Sequence, residues 1–478
     1  MVTDNNPSKP SAAQDAGEKD VMVSLYEAQK KIYPRSVTGV FARWRWFFVW
    51  ATQLFFYGAP WLQWGQRQAL LFDLEARRFY IFGLVLYPQD VIYLSAILII
   101  SALLLFLFTA VAGRQWCGYA CPQTVYTEIY LWMERKIEGD RSARMRLDAA
   151  PMSPAKLTRK VAKQVAWVAF GLWTGFTFVG YFTPIRELAH HVATWTLGPW
   201  QTFWIFFYGF ATYGNAGYMR EQVCKYMCPY ARFQSAMFDK DTLIVTYDAQ
   251  RGEPRGPRSK KADPKAMGLG DCVNCTLCVQ VCPTGIDIRE GLQYECISCA
   301  ACIDVCNEVM DKVGYPRGLI RYSTEHALSE GWGSREIVRH IMRPRVLIYS
   351  SILAIITLAM LASLFLRTPF KVDIVRDRAT LARIVQGGKV ENVYRLQIMN
   401  AQEKEHTFQL SAEGVPGLEL ITDTSDGKVV VDAADSVWVP VRLQAPYDAG
   451  KPGSNEIHFL IRSEEGEVRE KSAFMFPR

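Results

Sequence analysis

The chain has 478 residues, half of them hydrophobic and 13% aromatic, with a formal net charge of +7. This length is too great for one small domain, and the composition favours a membrane protein that carries soluble parts. Basic residues cluster beside apolar segments, which indicates membrane topology and argues against nucleic-acid binding. The twelve cysteines all fall in short motifs, so none is left for a disulfide framework, as is usual in the reducing cytosol.

Apolar segments predict a polytopic α-helical bundle of about five transmembrane helices. Residues 1–30 are polar and are expected to form a disordered cytoplasmic tail. The region 31–240 is predicted to hold four spans, at 45–64, 91–112, 164–183 and 198–219. Residues 79–88 are apolar but too short to span, so we expect them to lie at the membrane interface or to fold back. A fifth span is predicted at 346–366.

Positive charge sets the predicted orientation of these spans. Lys and Arg concentrate before span one, between spans two and three, and between spans four and five. Such loops remain in the cytoplasm. The amino terminus and the region between spans four and five are therefore expected in the cytoplasm, and the region 370–478 on the opposite side of the membrane.

Two copies of a C-x3-C-P motif follow spans two and four. They read Cys117-Gly-Tyr-Ala-Cys121-Pro122 and Cys224-Lys-Tyr-Met-Cys228-Pro229, and they are followed by Gln123 and Gln234. The repeat predicts an internal duplication that brings the four cysteines together. Such a group could bind a further iron–sulfur cluster, capture a soft ion such as Cu(I), or cycle as dithiols. The alternative is that the cysteines are small buried apolar residues at helix ends.

Other polar and sulfur-containing residues near these motifs are weaker candidates. Glu128 is a candidate charge or proton carrier beside the cysteines. His190 and His191 fall in a short loop predicted on the opposite side, where they would contact copper or quinone, or simply form a polar loop. Three methionines are candidate soft ligands, although methionine in membrane helices is usually a packing residue: Met133, Met219 and Met227.

The most specific pattern lies within 241–335, a predicted cytoplasmic α+β ferredoxin domain. C-x2-C-x2-C-x3-C occurs twice, a spacing typical of proteins that hold two 4Fe-4S clusters, in which the fourth cysteine of each run ligates the other cluster. The first cluster is assigned to Cys272, Cys275, Cys278 and Cys306, and the second to Cys296, Cys299, Cys302 and Cys282. Zinc sites and disulfides would not be expected to show this regular spacing. Asn307 follows Cys306 where Pro283 follows Cys282, so the local turn is expected to differ.

Residues 370–478 change character, with apolar and polar residues alternating between turn signals. This pattern predicts an all-β immunoglobulin-like sandwich. The segment has no cysteine, so it cannot carry the disulfide of antibody domains. We expect it to mediate contacts with other proteins.

The order of two C-x3-C-P motifs, an eight-cysteine segment and a carboxyl-terminal sandwich resembles that of the FixG/RdxA/CcoG family of cbb-type cytochrome c oxidase accessory proteins. The resemblance rests on residues 116–125, residues 224–234 and the eight-cysteine segment. It implies an inner-membrane protein that reduces Cu(II) to Cu(I) and assists oxidase assembly, with the assembly machinery and copper chaperones as partners. It also implies that the two clusters relay electrons and that Cys117, Cys121, Cys224 and Cys228 are the catalytic copper or redox site.

Two other functions remain open at this stage. One is an electron-transfer membrane subunit that passes quinol-derived electrons to a periplasmic reductase, although the sequence has no C-x-x-C-H haem attachment and no flavin motif. The other is a non-catalytic assembly scaffold in which the clusters serve only stability. The electron donor, cytoplasmic or quinol, is not specified by any motif.

Overall fold

A computed structural model describes residues 31–259, 267–377, 382–422 and 427–477. The tail predicted at 1–30 lies outside these residues. The described chain forms a helical region, a cysteine-rich segment and a carboxyl-terminal β-sandwich.

The helices alternate between long apolar elements and short connecting ones. In chain order they are α1 (Val40–Gly58), α2 (Val91–Ala112), α3 (Gln115–Tyr119), α4 (Pro122–Glu138), α5 (Arg141–Ala149), α6 (Pro154–Val179), α7 (Ile185–Thr194), α8 (Pro199–Thr212), α9 (Pro229–Met237), α10 (Ala249–Gly252), α11 (Leu277–Gln280), α12 (Ala301–Val313), α13 (Glu325–Ser329), α14 (Ser334–Ile341) and α15 (Pro344–Phe365).

The strands pair antiparallel throughout the described residues. In chain order they are β1 (Gln63–Trp64), β2 (Arg67–Gln68), β3 (Leu70–Asp73), β4 (Arg78–Ile81), β5 (Leu84–Leu86), β6 (Ile244–Tyr247), β7 (Ile320–Ser323), β8 (Phe370–Arg376), β9 (Arg383–Ile384), β10 (Lys389–Asn400), β11 (His406–Glu413), β12 (Glu419–Thr422), β13 (Lys428–Val431), β14 (Ser436–Pro446), β15 (Gly453–Ser463) and β16 (Gly466–Phe476).

Two helices of the described chain are long and apolar enough to cross a membrane, Pro88–Ala112 and Pro344–Phe365. They correspond to the second and fifth predicted spans. The other three predicted spans are helical, but α1 carries Arg43 and Arg45 near its start, and α8 has only 14 residues before π-helical turns begin. The five-span bundle therefore stays a prediction.

The two apolar helices run antiparallel, and each end has its own set of polar contacts. At one end, Arg343 before α15 donates a 2.6 Å hydrogen bond to the Ala110 carbonyl oxygen of α2. At the other end, Arg367 after α15 pairs at 2.8 Å with the buried Asp90 before α2. The cysteine-rich segment adjoins the first end, because Thr242 donates to the Ala110 carbonyl oxygen, whereas the sandwich begins just beyond Arg367.

Helices α6 and α8 approach closely because glycines line their contact. Gly171 and Gly175 lie four residues apart on one face of α6, and a Cβ added at Gly171 would lie 2.8 Å from the Gly209 carbonyl oxygen. A Cβ at Gly175 would overlap the Ile205 carbonyl oxygen. Small residues at this spacing allow helix backbones to pack directly, as in membrane helix pairs.

Residues 79–88, predicted to lie at the membrane interface or to fold back, fold back as an antiparallel hairpin. They contribute β4 and β5 to a three-stranded sheet with β3, which packs on the sandwich. The Tyr87 hydroxyl donates to the carbonyl oxygens of Asn400 at 2.9 Å and Asp435 at 3.1 Å. The apolar residues of this run are therefore buried against a part of the chain more than 300 positions away.

The sandwich consists of two antiparallel sheets. One has the order β12-β14-β10-β8, with β9 also paired to β10, and the other has the order β13-β11-β15-β16. Alternate residues of each strand enter a shared core, in which Tyr394, Leu396, Val441 and Phe459 are fully buried. This alternation is the pattern that the sequence shows, and it confirms the predicted sandwich.

Replacing Gly175 with alanine is expected to destabilise the α6–α8 pair. The added methyl group must displace the Ile205 backbone, and overpacking of this kind costs about 1–3 kcal/mol. Thermal unfolding of detergent-purified protein measures the effect. Gly214→Ala is the matched control, since a Cβ there meets no atom within 4 Å. Equal loss of stability in both variants would contradict this account of the helix contact.

Candidate iron–sulfur and cysteine site

The two cysteine loops share one backbone conformation. Asn274 and Thr276 flank Cys275, and Ser298 and Ala300 flank Cys299; all four flanking residues have positive φ, between 51° and 60°. Residues other than glycine rarely adopt this left-handed conformation, which is found in tight turns and is enriched at ligand-binding sites. Because the residues on both sides of the central cysteine have positive φ, the backbone of each loop curls around a central point. Loops that wrap a bound group have this conformation.

Two small cavities lie inside these loops. One is lined by Cys272, Cys275, Cys278 and Cys306. The other is lined by Cys282, Cys296, Cys299 and Cys302, and also by Cys278. The structure thus gathers the eight cysteines into the two sets that the spacing predicts, with Cys278 on the wall between them.

The spacing of the thiols suits a cluster better than a single ion. Within the described ranges, no three His, Cys, Asp or Glu side chains lie close enough together to hold one metal ion. A 4Fe-4S cluster takes one thiolate at each iron, so its ligands stand farther apart than those of a zinc ion. The residues present therefore fit the cluster, which when bound accepts or gives one electron.

Burial changes the acid–base state of these thiols. Desolvation raises the pKa of Cys278 to about 11 and those of Cys296 and Cys306 to about 12. Thiols with such pKa values hold their protons at neutral pH, whereas iron is bound by thiolates. Cluster insertion must therefore release protons.

The two C-x3-C-P motifs fold alike. Cys117 lies in the short helix α3, and Cys121 is the N-cap of α4 with Pro122 at the first helical position. In the second copy, Cys224 lies in the π-helical turn Val223–Met227, and Cys228 is the N-cap of α9, which begins at Pro229. Proline is favoured at this position because its missing N–H would have no helical partner.

Each motif makes hydrogen bonds to the other. The Gln234 side-chain amide lies 3.6 Å from the Cys117 sulfur, and Gln123 donates to the carbonyl oxygens of Asn215 at 2.9 Å and Arg220 at 3.0 Å. Burial, together with the smaller effect of neighbouring Cys121 and Cys117, raises the pKa of Cys224 to about 12. All four motif cysteines are therefore close enough to interact electrostatically.

The first motif packs directly on the loop of the second cluster. A Cβ added at Gly118 would lie 2.6 Å from the Ile297 carbonyl oxygen and 2.9 Å from the Cys299 Cα. Cys117 and Cys299 belong to one buried apolar cluster. Only glycine at position 118 permits this approach, and it places the motif cysteines beside the second cluster site.

Arg114 lies beside both cysteine sites, although the sequence reasoning did not name it as a site residue. It is 4% exposed and donates to the Tyr294 carbonyl oxygen. Burial raises the pKa of both Cys117 and Cys296, and the Arg114 charge opposes that rise in each. One guanidinium thus favours the anionic form of a motif thiol and of a cluster ligand. The sequence does contain one signal for Arg114. It lies three residues before Cys117, and Arg220 lies at a similar place in the second copy, four residues before Cys224.

Asp304 joins α1 to the same segment. It lies in α12 between Cys302 and Cys306, and its carboxylate accepts from the backbone N–H groups of Phe41 at 3.3 Å and Ala42 at 2.8 Å. A carboxylate at a helix N-terminus satisfies free N–H groups and complements the helix dipole. No local sequence signal links residues so far apart.

Glu128 is buried beside the motifs and pairs with Arg45 at 2.6 Å and Arg135 at 3.0 Å. His190 and His191 do not form the predicted loop, since they lie in α7, where His191 is 3.9 Å from Glu187. That helix is amphipathic and buries Ile185 and Leu188. Met133 packs against the buried Tyr130–Trp167 cluster, Met227 is exposed, and Met219 ends the π-helical turn.

Replacing Arg114 with glutamine is expected to lower the reduction potential of the second cluster by roughly tens of millivolts. Reduction adds negative charge, which a buried guanidinium near Cys296 stabilises. Potentiometric titration of the reconstituted protein followed by electron paramagnetic resonance measures the shift. Arg114→Lys, which keeps the positive charge, is the control, and its second cluster should have a reduction potential close to that of the parent protein. Unchanged potentials in both variants would refute the electrostatic role.

Comparison with known proteins identifies the parts of the chain. A model described as "4Fe-4S dicluster domain" matches residues 219–325, and one described as "4Fe-4S binding domain" matches 94–139, which includes Cys117 and Cys121. A third, "IG-like fold at C-terminal of FixG", matches residues 360–477. These matches confirm the predicted iron–sulfur and immunoglobulin-like parts.

Three curated relatives are similar along most of the chain. Nitrogen fixation protein FixG of Rhizobium meliloti is 38% identical over 94% of this chain and 93% of its own. Protein RdxB of Cereibacter sphaeroides is 40% identical over 86% of this chain and 88% of its own. Protein RdxA of the same organism is 38% identical over 88% of this chain and 91% of its own. The chain therefore belongs to the FixG/RdxA family of iron–sulfur electron-transfer proteins.

Proposed function

We propose that this protein is a membrane-bound cupric reductase that assists copper-centre assembly of a cbb-type cytochrome c oxidase. The observation that carries the proposal is the contact between the first C-x3-C-P motif and the second cysteine loop, through Gly118 and Cys299. Low-potential one-electron carriers and a group of soft ligands are thereby brought together.

Each residue set has a role in this proposal. Cys272, Cys275, Cys278 and Cys306 hold one 4Fe-4S cluster, and Cys282, Cys296, Cys299 and Cys302 hold the other. Cys117, Cys121, Cys224 and Cys228 bind the copper substrate, with Gln234 holding the Cys117 sulfur in place. Reduction of Cu(II) takes one electron, and thiolates stabilise the Cu(I) product. The family match at 94–139 keeps a further cluster on these cysteines as the alternative occupant.

The proposed topology puts the cysteine-rich segment in the cytoplasm and the sandwich in the periplasm. In its support, α2 and α15 are antiparallel, with the cysteine-rich segment at the end near Ala110 and the sandwich at the end near Asp90. Both helices crossing the bilayer would separate the two parts by one membrane thickness. Copper chaperones and the oxidase assembly machinery are then the proposed partners of the sandwich.

Replacing the four motif cysteines with serine is expected to abolish Cu(II) reduction while both ferredoxin clusters are retained. Serine keeps the size of the side chain but is a hard ligand that does not favour Cu(I). The protein is purified anaerobically, reduced with dithionite, freed of excess reductant and mixed with Cu(II), and the Cu(I) formed is measured.

Iron content and cluster spectra provide the control for this experiment, because they report whether the variant still binds its clusters. Equal rates of copper reduction in the two proteins would contradict the proposal. Loss of iron matching one cluster in the variant would instead assign a third cluster to the motif cysteines.

A further inference from the structure

A short helix, α14, connects the cysteine-rich segment to the candidate span α15. It covers Ser334–Ile341, and only Met342 and Arg343 separate it from Pro344, where α15 begins. Arg343 donates to the Ala110 carbonyl oxygen, so the end of the other candidate span, α2, lies close by. Helix α14 is thus placed where both candidate spans meet the cysteine-rich segment.

No described side chain of α14 is buried in the protein. Ile337 and Ile341 are half-buried, whereas Val338 is 63% exposed and Met342, the residue after the helix, is 64% exposed. A helix of two turns is marginal in water unless one of its faces packs on another surface. Helix α14 therefore presents apolar side chains that the described part of the protein leaves uncovered.

The exposed face of α14 combines apolar and basic side chains. At about 100° per residue, Val338 and Met342 project on one side, and Arg335 and Arg339 follow next to them around the helix. Both arginines are exposed, and neither forms an ion pair with another described residue. The acidic Glu336 lies on the opposite side. Apolar side chains flanked by arginines are typical of helices that lie in a membrane interface.

Contacts with the cysteine-rich segment fix the orientation of this face. His340 stacks on Trp332 with ring centroids 4.1 Å apart, and the Trp332 ring lies 5.8 Å from that of His326. The Nδ1 atom of His326 is in turn 2.7 Å from an Asp241 carboxylate oxygen. Because His340 and Val338 are nearly opposite on the helix, the exposed face points away from the cysteine-rich segment.

We propose that α14 lies in the membrane interface and binds anionic phospholipid headgroups through Arg335 and Arg339. Val338 and Met342 enter the acyl-chain boundary, while the arginine stems lie along apolar surface and their guanidinium groups reach the phosphates.

Two observations favour an anionic leaflet over a protein partner. The face continues within two residues into a helix that is long and apolar enough to span the bilayer. Basic residues beside such a span are attracted by anionic lipid. The inference is independent of copper reduction and rests only on the proposed membrane crossing of α15. Lipid binding would hold the cysteine-rich segment against the membrane.

The test compares full-length protein in nanodiscs of phosphatidylcholine alone and of phosphatidylcholine with phosphatidylglycerol. Hydrogen–deuterium exchange of the α14 amides is followed by mass spectrometry. We expect exchange about tenfold slower with phosphatidylglycerol, because a lipid-bound helix opens less often. In the double variant Arg335→Gln/Arg339→Gln, the two lipid compositions should give equal rates. Both side chains are exposed, so these substitutions should leave the fold intact.

The matched control is Lys312→Gln/Arg317→Gln, which removes two exposed positive charges elsewhere in the cysteine-rich segment. This variant should keep the slower exchange with phosphatidylglycerol. Equal exchange in the two lipid compositions in the parent protein, or an unchanged lipid effect in the Arg335 and Arg339 variant, would overturn the proposal. Slow exchange in both compositions would then assign the face to a protein contact.

The amides of α15 distinguish failure of the lipid site from failure of the topology. Rapid exchange of these amides in both kinds of nanodisc would refute the membrane crossing of α15, and the lipid site with it. Protected α15 amides without a lipid effect on α14 would refute the lipid site alone.

Discussion

The structure depends on a direct backbone contact between two segments that are far apart in sequence. Gly118 of the first C-x3-C-P motif lies against Ile297 and Cys299 of the second cysteine loop, where no larger residue fits. Two further contacts hold the same junction. Asp304 caps α1 from within the cysteine-rich segment, and Arg114 donates to Tyr294. Two helices, α1 and α3, are thus fixed to the cysteine-rich segment beside the loop that is expected to hold the second cluster.

Buried charges around this junction are compensated rather than isolated. Glu128 accepts from two arginines, and the almost inaccessible Glu134 pairs with Arg144 at 2.9 Å and Arg220 at 3.0 Å. Burial alone would raise the pKa of Glu134, but the neighbouring cations outweigh it and lower that pKa. Removing one charged side chain from such a buried network destabilises the fold, because the remaining charge is left without a partner. The network therefore fixes how α4, α5 and the second motif lie together.

The sequence could predict the cysteine sites because ligand spacing is a local property. The C-x2-C-x2-C-x3-C spacing, which starts at Cys272 and again at Cys296, is the local pattern that predicts a loop wrapping a cluster. The sandwich was predictable for a similar reason, since residues such as Leu396 and Val441 alternate with exposed ones along single strands. Internal repetition likewise indicated that the two motifs would come together.

Contacts between residues far apart in the sequence could not be predicted from local spacing or alternation. Residues 79–88 look like an interfacial segment until the sandwich covers Tyr87 and its neighbours. Neither Arg114 nor Asp304 has a local pattern that names its partner, because those partners lie 180 and about 262 positions away. Hydropathy identifies α2 and α15, which are uninterrupted apolar helices. It also predicts a span at 45–64, but it does not show that Arg45 of α1 pairs with Glu128 inside the protein.

The central claim is that electrons pass from the second cluster to the motif cysteines through the Gly118 junction. Stopped-flow absorbance of cluster reoxidation by Cu(II), in anaerobic reduced protein, tests it most directly when Gly118→Ala is compared with the parent protein and with Gly214→Ala. The added methyl group at position 118 must push the Cys299 loop away. Slower reoxidation in Gly118→Ala alone, with iron content unchanged, is the result that this account predicts. Equal rates in all three proteins would show that copper takes its electrons by another route.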